Sequence, residues 1–137
     1  MDGRFCSRKR PPEVSDYLKL RNAVGWDAVP EDVSATALAK SLFSVCIVVK
    51  GEVVGMGRVI GDDGLYLYIQ DVMVLPGYQR QGIGSRIMDL ITAYLDENLC
   101  KEVFVGLKSA PGLECFYGRY GFTSNPEDVP GLFMVKR

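Results

Sequence analysis

The sequence contains no histidine. That removes the side chain most often used as a general base near neutral pH, and with it the commonest metal ligand; no metal is expected. Cysteines stand at Cys6, Cys46, Cys100 and Cys115, in apolar segments and at spacings that match no zinc or redox motif. They read as buried thiols of a reducing compartment. No apolar run approaches the roughly 18 residues that a membrane span needs, and no signal-peptide pattern opens the chain. The expectation is a soluble, cytoplasmic protein without membrane contacts. Positive charge is not in surplus either. Sixteen Lys and Arg face 17 Asp and Glu, a net charge of −1, so nothing points to an electrostatic nucleic-acid binder and no nucleic-acid partner is expected. The run Arg8-Lys9-Arg10 reads as a solvated strand end.

What is present fits one domain over residues 1–137, long enough to bury on the order of two thirds of its unfolded surface. Arg4 to Lys9 reads as a strand, stopped by Pro11-Pro12. Val14, Tyr17, Leu18, Leu20 and Val24 follow at helical spacing, and Gly25 ends that helix. Ser34 is placed as the cap of a second short helix, Ala35 to Ser41. Val45 to Lys50 is β-branched and apolar, Lys50-Gly51-Glu52 resembles a hairpin turn, and Val53 to Ile60 returns antiparallel. After the turn Gly61-Asp62-Asp63-Gly64, Leu65 to Leu75 alternates. Leu65, Leu67, Ile69, Asp71, Met73 and Leu75 share one expected face, while Tyr66, Tyr68, Gln70, Val72 and Val74 share the other. Both faces are largely apolar, so the strand is central and covered on both sides. Ser85 to Leu99 is an amphipathic helix, with Ile83, Ile87, Leu90, Ile91, Tyr94 and Leu95 on one stripe at steps of three and four. Glu102 to Leu107 is a strand, Ser109 to about Tyr120 a helix opened by Pro111 and stopped by Gly121, and Phe122-Thr123 and Leu132 to Lys136 are the last strands. The order is β-α-α-β-β-β-α-β-α-β-β, an α/β (α+β) fold. Hairpins leading into a β-α-β crossover require a mixed sheet.

The junction between the central strand and the next helix is Tyr78-Gln79-Arg80-Gln81-Gly82-Ile83-Gly84-Ser85. Glycines remove side chains that would keep a ligand off the backbone. The first amides of a helix lack intrahelical partners and, with the helix dipole, attract an anion. This is a phosphate cradle. It is not the dinucleotide kind, because Ile87 stands where a third glycine would, nor the Walker kind, because Gly-Lys-Ser/Thr is absent.

The pattern Gln-x-x-Gly-x-Gly, within Val72 to Gly84, resembles the acetyl-CoA pyrophosphate loop of the GNAT N-acetyltransferase superfamily. Phe116-Tyr117-Gly118-Arg119-Tyr120-Gly121-Phe122 is similar to that family's Phe-Tyr-x-x-x-Gly-Phe ending, and the element order matches along nearly all the chain. The resemblance implies a mixed, mostly antiparallel central sheet with helices on both faces and a splayed wedge that holds acetyl-CoA, the acetyl donor. It implies cofactor contacts from Gln79, Arg80, Gln81, Gly82, Ile83, Gly84 and Ser85. The central strand at Val72, Met73 and Val74 would run along the pantetheine arm, with an amide near Val74 facing the thioester carbonyl. The family often places Asn where Ala110 stands, so that contact falls to Ser109 or is absent.

The resemblance also places Tyr117 near the acetyl-CoA sulfur. A phenol titrates near ~10 and a thiol near ~8.5, so Tyr117 is a feasible proton donor to the leaving thiolate. The acceptor is read as a primary amine, a small molecule or a peptide, and deprotonating it at pH 7 costs roughly 4.6 kcal/mol for a pKa of ~10.4. Without histidine the proton acceptor is a carboxylate, a phenol or water. Asp71 is the first candidate; its other reading is a structural carboxylate bonded to neighbouring amides or an arginine. Glu114 is a weaker candidate. Substrate choice would fall to Tyr17, Arg21 and Trp26, Trp26 reading equally well as a core anchor. No cysteine sits beside an evident base, so direct transfer in a ternary complex is expected rather than an acetyl-cysteine. A non-catalytic acyl-CoA-binding module is the alternative, and a homodimer is compatible with the sequence.

Overall fold

Val45 to Val49 carries a β-branched or thiol side chain at every position, and each is buried. A stretch with no polar face must be covered on both sides, and this one lies within strand β2 (Phe43–Val49) near the middle of the sheet. A computed structural model of the chain describes residues 5–100 and 102–136; Arg4, assigned to the first strand from sequence, lies outside them. The first strand is β1 (Cys6–Arg8), antiparallel to β2. Lys50 and Gly51, both at positive φ, turn the chain into β3 (Glu52–Gly61), the backbone that matches the twist of a two-residue hairpin. Asp62 Oδ1 then accepts the amides of Gly64, Leu65 and Tyr66, closing the turn into β4 (Tyr66–Val74).

The crossover helix α3 (Ile83–Asn98) returns the chain to β5 (Phe104–Leu107), which pairs parallel to β4. The sheet order is β1-β2-β3-β4-β5, with the first three pairings antiparallel. Helix α3 covers one face through Ile83, Ile87, Met88 and Ile91. Burying each side chain of that size contributes about 1.5–3 kcal/mol. Its close approach requires Gly57 on β3, where an added Cβ would lie 2.7 Å from Ile87 Cγ2 and 3.0 Å from Ile91 Cδ1. The other face is covered by α1 (Val14–Ala23) and α2 (Glu31–Ala39), whose Tyr17, Leu20 and Leu38 pack on Met56 and Met73. The mixed sheet with helices on both faces is therefore present. No helix among the described residues is long and apolar enough to cross a membrane.

The strand β4 departs from simple alternation. Its register with β3 shifts between Met56 and Arg58, and Asp71 lies at φ +59. This is a bulge, placed at a residue type that tolerates the left-handed region better than most. Leu67 and Ile69 consequently pack on the α3 side, whereas Met73 packs on the α1 and α2 side. The expected single face through Leu67, Ile69, Asp71 and Met73 is broken at Asp71, because one extra residue inverts every side chain beyond it.

Other boundaries shift for local reasons. Helix α2 begins at Glu31 rather than Ala35, and Ser34 is inside it, its hydroxyl donating back to Pro30 O at 2.7 Å. The last helix, α4 (Glu114–Gly118), starts beyond Pro111 because Gly112 turns the chain at φ +83. Among the described residues neither 122–123 nor 132–136 forms a strand. Leu132, Phe133 and Met134 are almost fully exposed, and Phe133 meets Lys108, whose Nζ lies 4.1 Å from its ring centre. Apolar alternation reports what a segment does once covered, and here nothing described covers it.

Candidate active site

The pairing of β4 with β5 ends at Ile69 and Leu107, while β4 stays on β3 as far as Val74. Past Ile69 one edge of β4 is therefore left open. A cleft of about 450 Å³ lies at this divergence, within the size range of small-ligand sites. Arg21, Trp26, Asp71, Val72, Ser109 and Tyr117 are among its lining residues. The open edge runs on from the cleft to Val74, whose carbonyl accepts Gln79 Nε2 at 3.1 Å. Strand geometry puts the Val74 N–H on the same side as its carbonyl, the side away from β3.

Beyond Val74 a short 3₁₀ turn, Pro76–Tyr78, leads into the glycine loop. Arg80 at φ +63 and Gly82 at φ +85 reverse the chain, and Gly82 caps α3 in the left-handed conformation. No side chain caps that end. The first intrahelical bond there runs from Arg86 N to Gly82 O, so the amides of Ile83, Gly84 and Ser85 point out of the helix without a partner within it. Gln81 Nε2 reaches back to Gly77 O at 3.4 Å, while the Arg80 side chain is exposed. The loop is shaped as an anion cradle at one end of the open β4 edge, and the cleft stands at the other.

Asp71 is 3% exposed and heavily bonded. Its Oδ2 accepts the Tyr17 hydroxyl at 2.8 Å and Arg58 Nε at 2.8 Å, and its Oδ1 accepts Gln70 Nε2 at 3.2 Å. Arg21 Nη1 stands 3.9 Å from Oδ1. Arg58 also donates to Ala37 O and Ser41 Oγ, so one carboxylate ties α1, α2, β3 and β4 together. The Tyr17, Arg58 and Gln70 donors take three of the carboxylate's roughly four lone-pair sites. Tyr17 feels the same surroundings: burial pushes its phenol up, Asp71 adds to the rise, and Arg21 opposes it.

Tyr117 lies in the α3-side core, its ring edge-on to Phe116 at 5.0 Å. Its hydroxyl has no hydrogen-bond partner among the described residues, and burial pushes its phenol up. Ser109 lines the same cleft, its hydroxyl donating to Ala110 O at 2.8 Å. Of the residues singled out from sequence, Tyr117, Asp71, Val72 and Ser109 thus share one cleft, joined there by Arg21 and Trp26, while Gln79 to Ser85 form the separate loop. Glu114 is exposed and outside the cleft. Arg58 was not picked out from sequence. Its signal was an arginine between Gly57 and Val59 in an otherwise apolar strand, one hairpin away from a carboxylate that needed a partner. A larger hollow of about 650 Å³, between the end of α3, β5 and residues 119–122, contains none of these groups and has no comparable chemistry.

Residues 42–124 match the family model described as an acetyltransferase (GNAT) domain. The uncharacterized N-acetyltransferase ycf52 of Porphyra purpurea is 28% identical, over 97% of this chain and 78% of that protein. A probable acetyltransferase of unknown function from meticillin-resistant Staphylococcus aureus superposes with a TM-score of 0.90 at 31% identity, covering 96% of this chain and 99% of that one. An aminoglycoside N-acetyltransferase solved in complex with CoA shares the fold, with a TM-score of 0.68 at 15% identity over 100% of this chain and 99% of that one.

Proposed function

The chain belongs to the GNAT acetyltransferase family, and we propose that it moves an acetyl group from acetyl-CoA to the nitrogen of a primary amine by direct attack in a ternary complex. The observation that carries this reading is the open edge of β4, which joins the amide-lined start of α3 to the cleft holding Tyr117. In this reading the loop from Gln79 to Ser85 takes the pyrophosphate, the helix dipole and free amides supplying most of the attraction. The pantetheine arm follows Val72, Met73 and Val74, Ser109 borders it, and the thioester ends in the cleft.

The amine lone pair attacks the thioester carbonyl carbon, and the C–S bond breaks. The departing thiolate takes the Tyr117 phenolic proton, the new amide nitrogen sheds its extra proton to water, and water returns a proton to the Tyr117 phenolate. Burial pushes the Tyr117 phenol up, so it is protonated before the reaction, and the role rests on its place in the cleft. An N–H on the open β4 edge between the cleft and Val74 stabilises charge on the carbonyl oxygen. Asp71 acts by position, tying Tyr17 and Arg58 together behind the cleft and standing 3.9 Å from Arg21, which lines it. None of the four cysteines lines the cleft, which supports transfer without an acyl-cysteine. Titration calorimetry with acetyl-CoA, followed by thiol release on adding primary amines, tests the reading. Binding with amine-dependent release is expected; binding without release for every small amine and peptide tried would refute it.

A further inference from the structure

The lining of the cleft is cationic. Its charged residues are Arg21, Lys108 and Asp71, and the Asp71 carboxylate is already engaged by Arg58, Tyr17 and Gln70. Two guanidinium groups therefore share one buried carboxylate, and the cluster keeps a net positive charge. Arg58 spends its donors inward, on Asp71, Ala37 and Ser41. Arg21 is the member that lines the cleft.

Arg21 is held there by the end of α1. Gly25 N bonds to Asn22 O and Trp26 N to Arg21 O, the paired closure of a Schellman motif. That closure folds Trp26 beneath Arg21, with the guanidinium carbon 5.5 Å from the indole centre and 5.8 Å from the Tyr17 ring. Nε and Nη2 donate to Asp27 O, and Nη1 to the Tyr17 hydroxyl. A guanidinium has five N–H groups, and these bonds take three. One remains on Nη2 and one on Nη1, whose nitrogen stands 3.9 Å from Asp71 Oδ1, the number that a bidentate carboxylate contact takes. Trp26 is 38% exposed and offers the bound group an apolar wall.

Resting on the acetyl-transfer reading above, we propose that the acceptor is a primary amine bearing a carboxylate close to the amine, such as an α-amino acid, with the carboxylate seated on Arg21 beside Trp26. A polyamine or other polycation finds no free counter-charge here. The same positive field disfavours the ammonium form of the acceptor, which eases the deprotonation that a histidine-free cleft must otherwise leave to water.

The test compares alanine and phenylalanine with their amides and decarboxylated amines, alongside spermidine and O-phosphoethanolamine, by CoA thiol release and mass detection of the acetylated product. The expected kcat/KM for each amino acid is at least about tenfold above that of its amide and amine. Amine basicity alone would favour the amide, whose amino group titrates near ~8. Arg21→Gln should pull that ratio toward one, chiefly through KM, and Arg21→Lys should restore part of it, since a point charge replaces a fork. Circular dichroism checks that both variants fold. Acetylation of the amide, the decarboxylated amine or spermidine at rates equal to or above the amino acid overturns the inference and leaves acetyl transfer standing, as does an unchanged ratio in Arg21→Gln. A preference for O-phosphoethanolamine replaces the carboxylate with a phosphate and also overturns it. Binding of acetyl-CoA with no acetylated product from any of these overturns the inference, and the same result across every further amine and peptide overturns acetyl transfer as well.

Discussion

At the scale of single residues, the cleft separates two roles that look alike in sequence. Tyr117 is buried, lines the cleft and has a hydroxyl without a described partner, and burial pushes its phenol up. Tyr117→Phe keeps the ring and its edge contacts, so acetyl-CoA affinity and stability should change little. The chemical step should slow toward the low end of the roughly 10²–10⁴-fold typical of a lost general acid, with kcat and kcat/KM falling together. Single-turnover rates check this, and an unchanged rate would make Tyr117 a packing residue. Asp71 is the contrasting case. Its side chain is 1% exposed and Arg58 Nε lies 2.8 Å away, so Asp71→Asn leaves a buried guanidinium uncompensated, which costs about 3–5 kcal/mol. Denaturant unfolding should register a loss of that size. A variant of wild-type stability that has lost only its rate would instead favour Asp71 as the proton acceptor.

At the scale of elements, β4 and its junction with α3 decide where chemistry can occur. A bulge and an early end to the β5 pairing leave an edge open between the cleft and the loop. The loop depends on Gly82, whose φ of +85 few residues other than glycine adopt, though no atom within 4 Å blocks a side chain there. Gly82→Val should therefore fold but redirect the amides beyond it, weakening acetyl-CoA binding at least tenfold, about 1.4 kcal/mol; calorimetry reads the change. The glycine loop and the Phe116 to Phe122 ending were legible in the sequence because their spacing is local. The helices on α1, α3 and the hairpin at Lys50-Gly51 were legible for the same reason. The bulge was not, since nothing in Gln70-Asp71-Val72 distinguishes an inserted residue from continued alternation. The Arg58–Asp71 pair was missed because it depends on which strands become neighbours. The strands expected at 122–123 and 132–136 failed on the same ground, apolar pattern without a described partner.

At the scale of the whole molecule, several buried titratable groups make stability fall in alkali. Burial pushes the Cys46 thiol up to about 11, and its Sγ donates to Arg10 O at 3.0 Å. Tyr17 and Tyr117 are both raised from an ordinary value of 10.0. In each case the folded state holds a proton that the unfolded chain releases, so the contribution is intact below the unfolded value and is lost as pH rises through the folded one. Denaturant midpoints should fall from about pH 9, first with Cys46, and continue to fall above about pH 10 with the tyrosines. A midpoint that is flat or rising over that interval would show these groups to be less enclosed than their surroundings indicate. The acetyl-transfer account itself meets its most direct test in a rapid-quench experiment with excess enzyme, acetyl-labelled acetyl-CoA and a saturating mixture of primary amines and peptides. Label should pass to the amine nitrogen at the rate at which free CoA thiol appears, with none held on the protein. Label that stays on CoA in the presence of the mixture, or that collects on a cysteine, would contradict it.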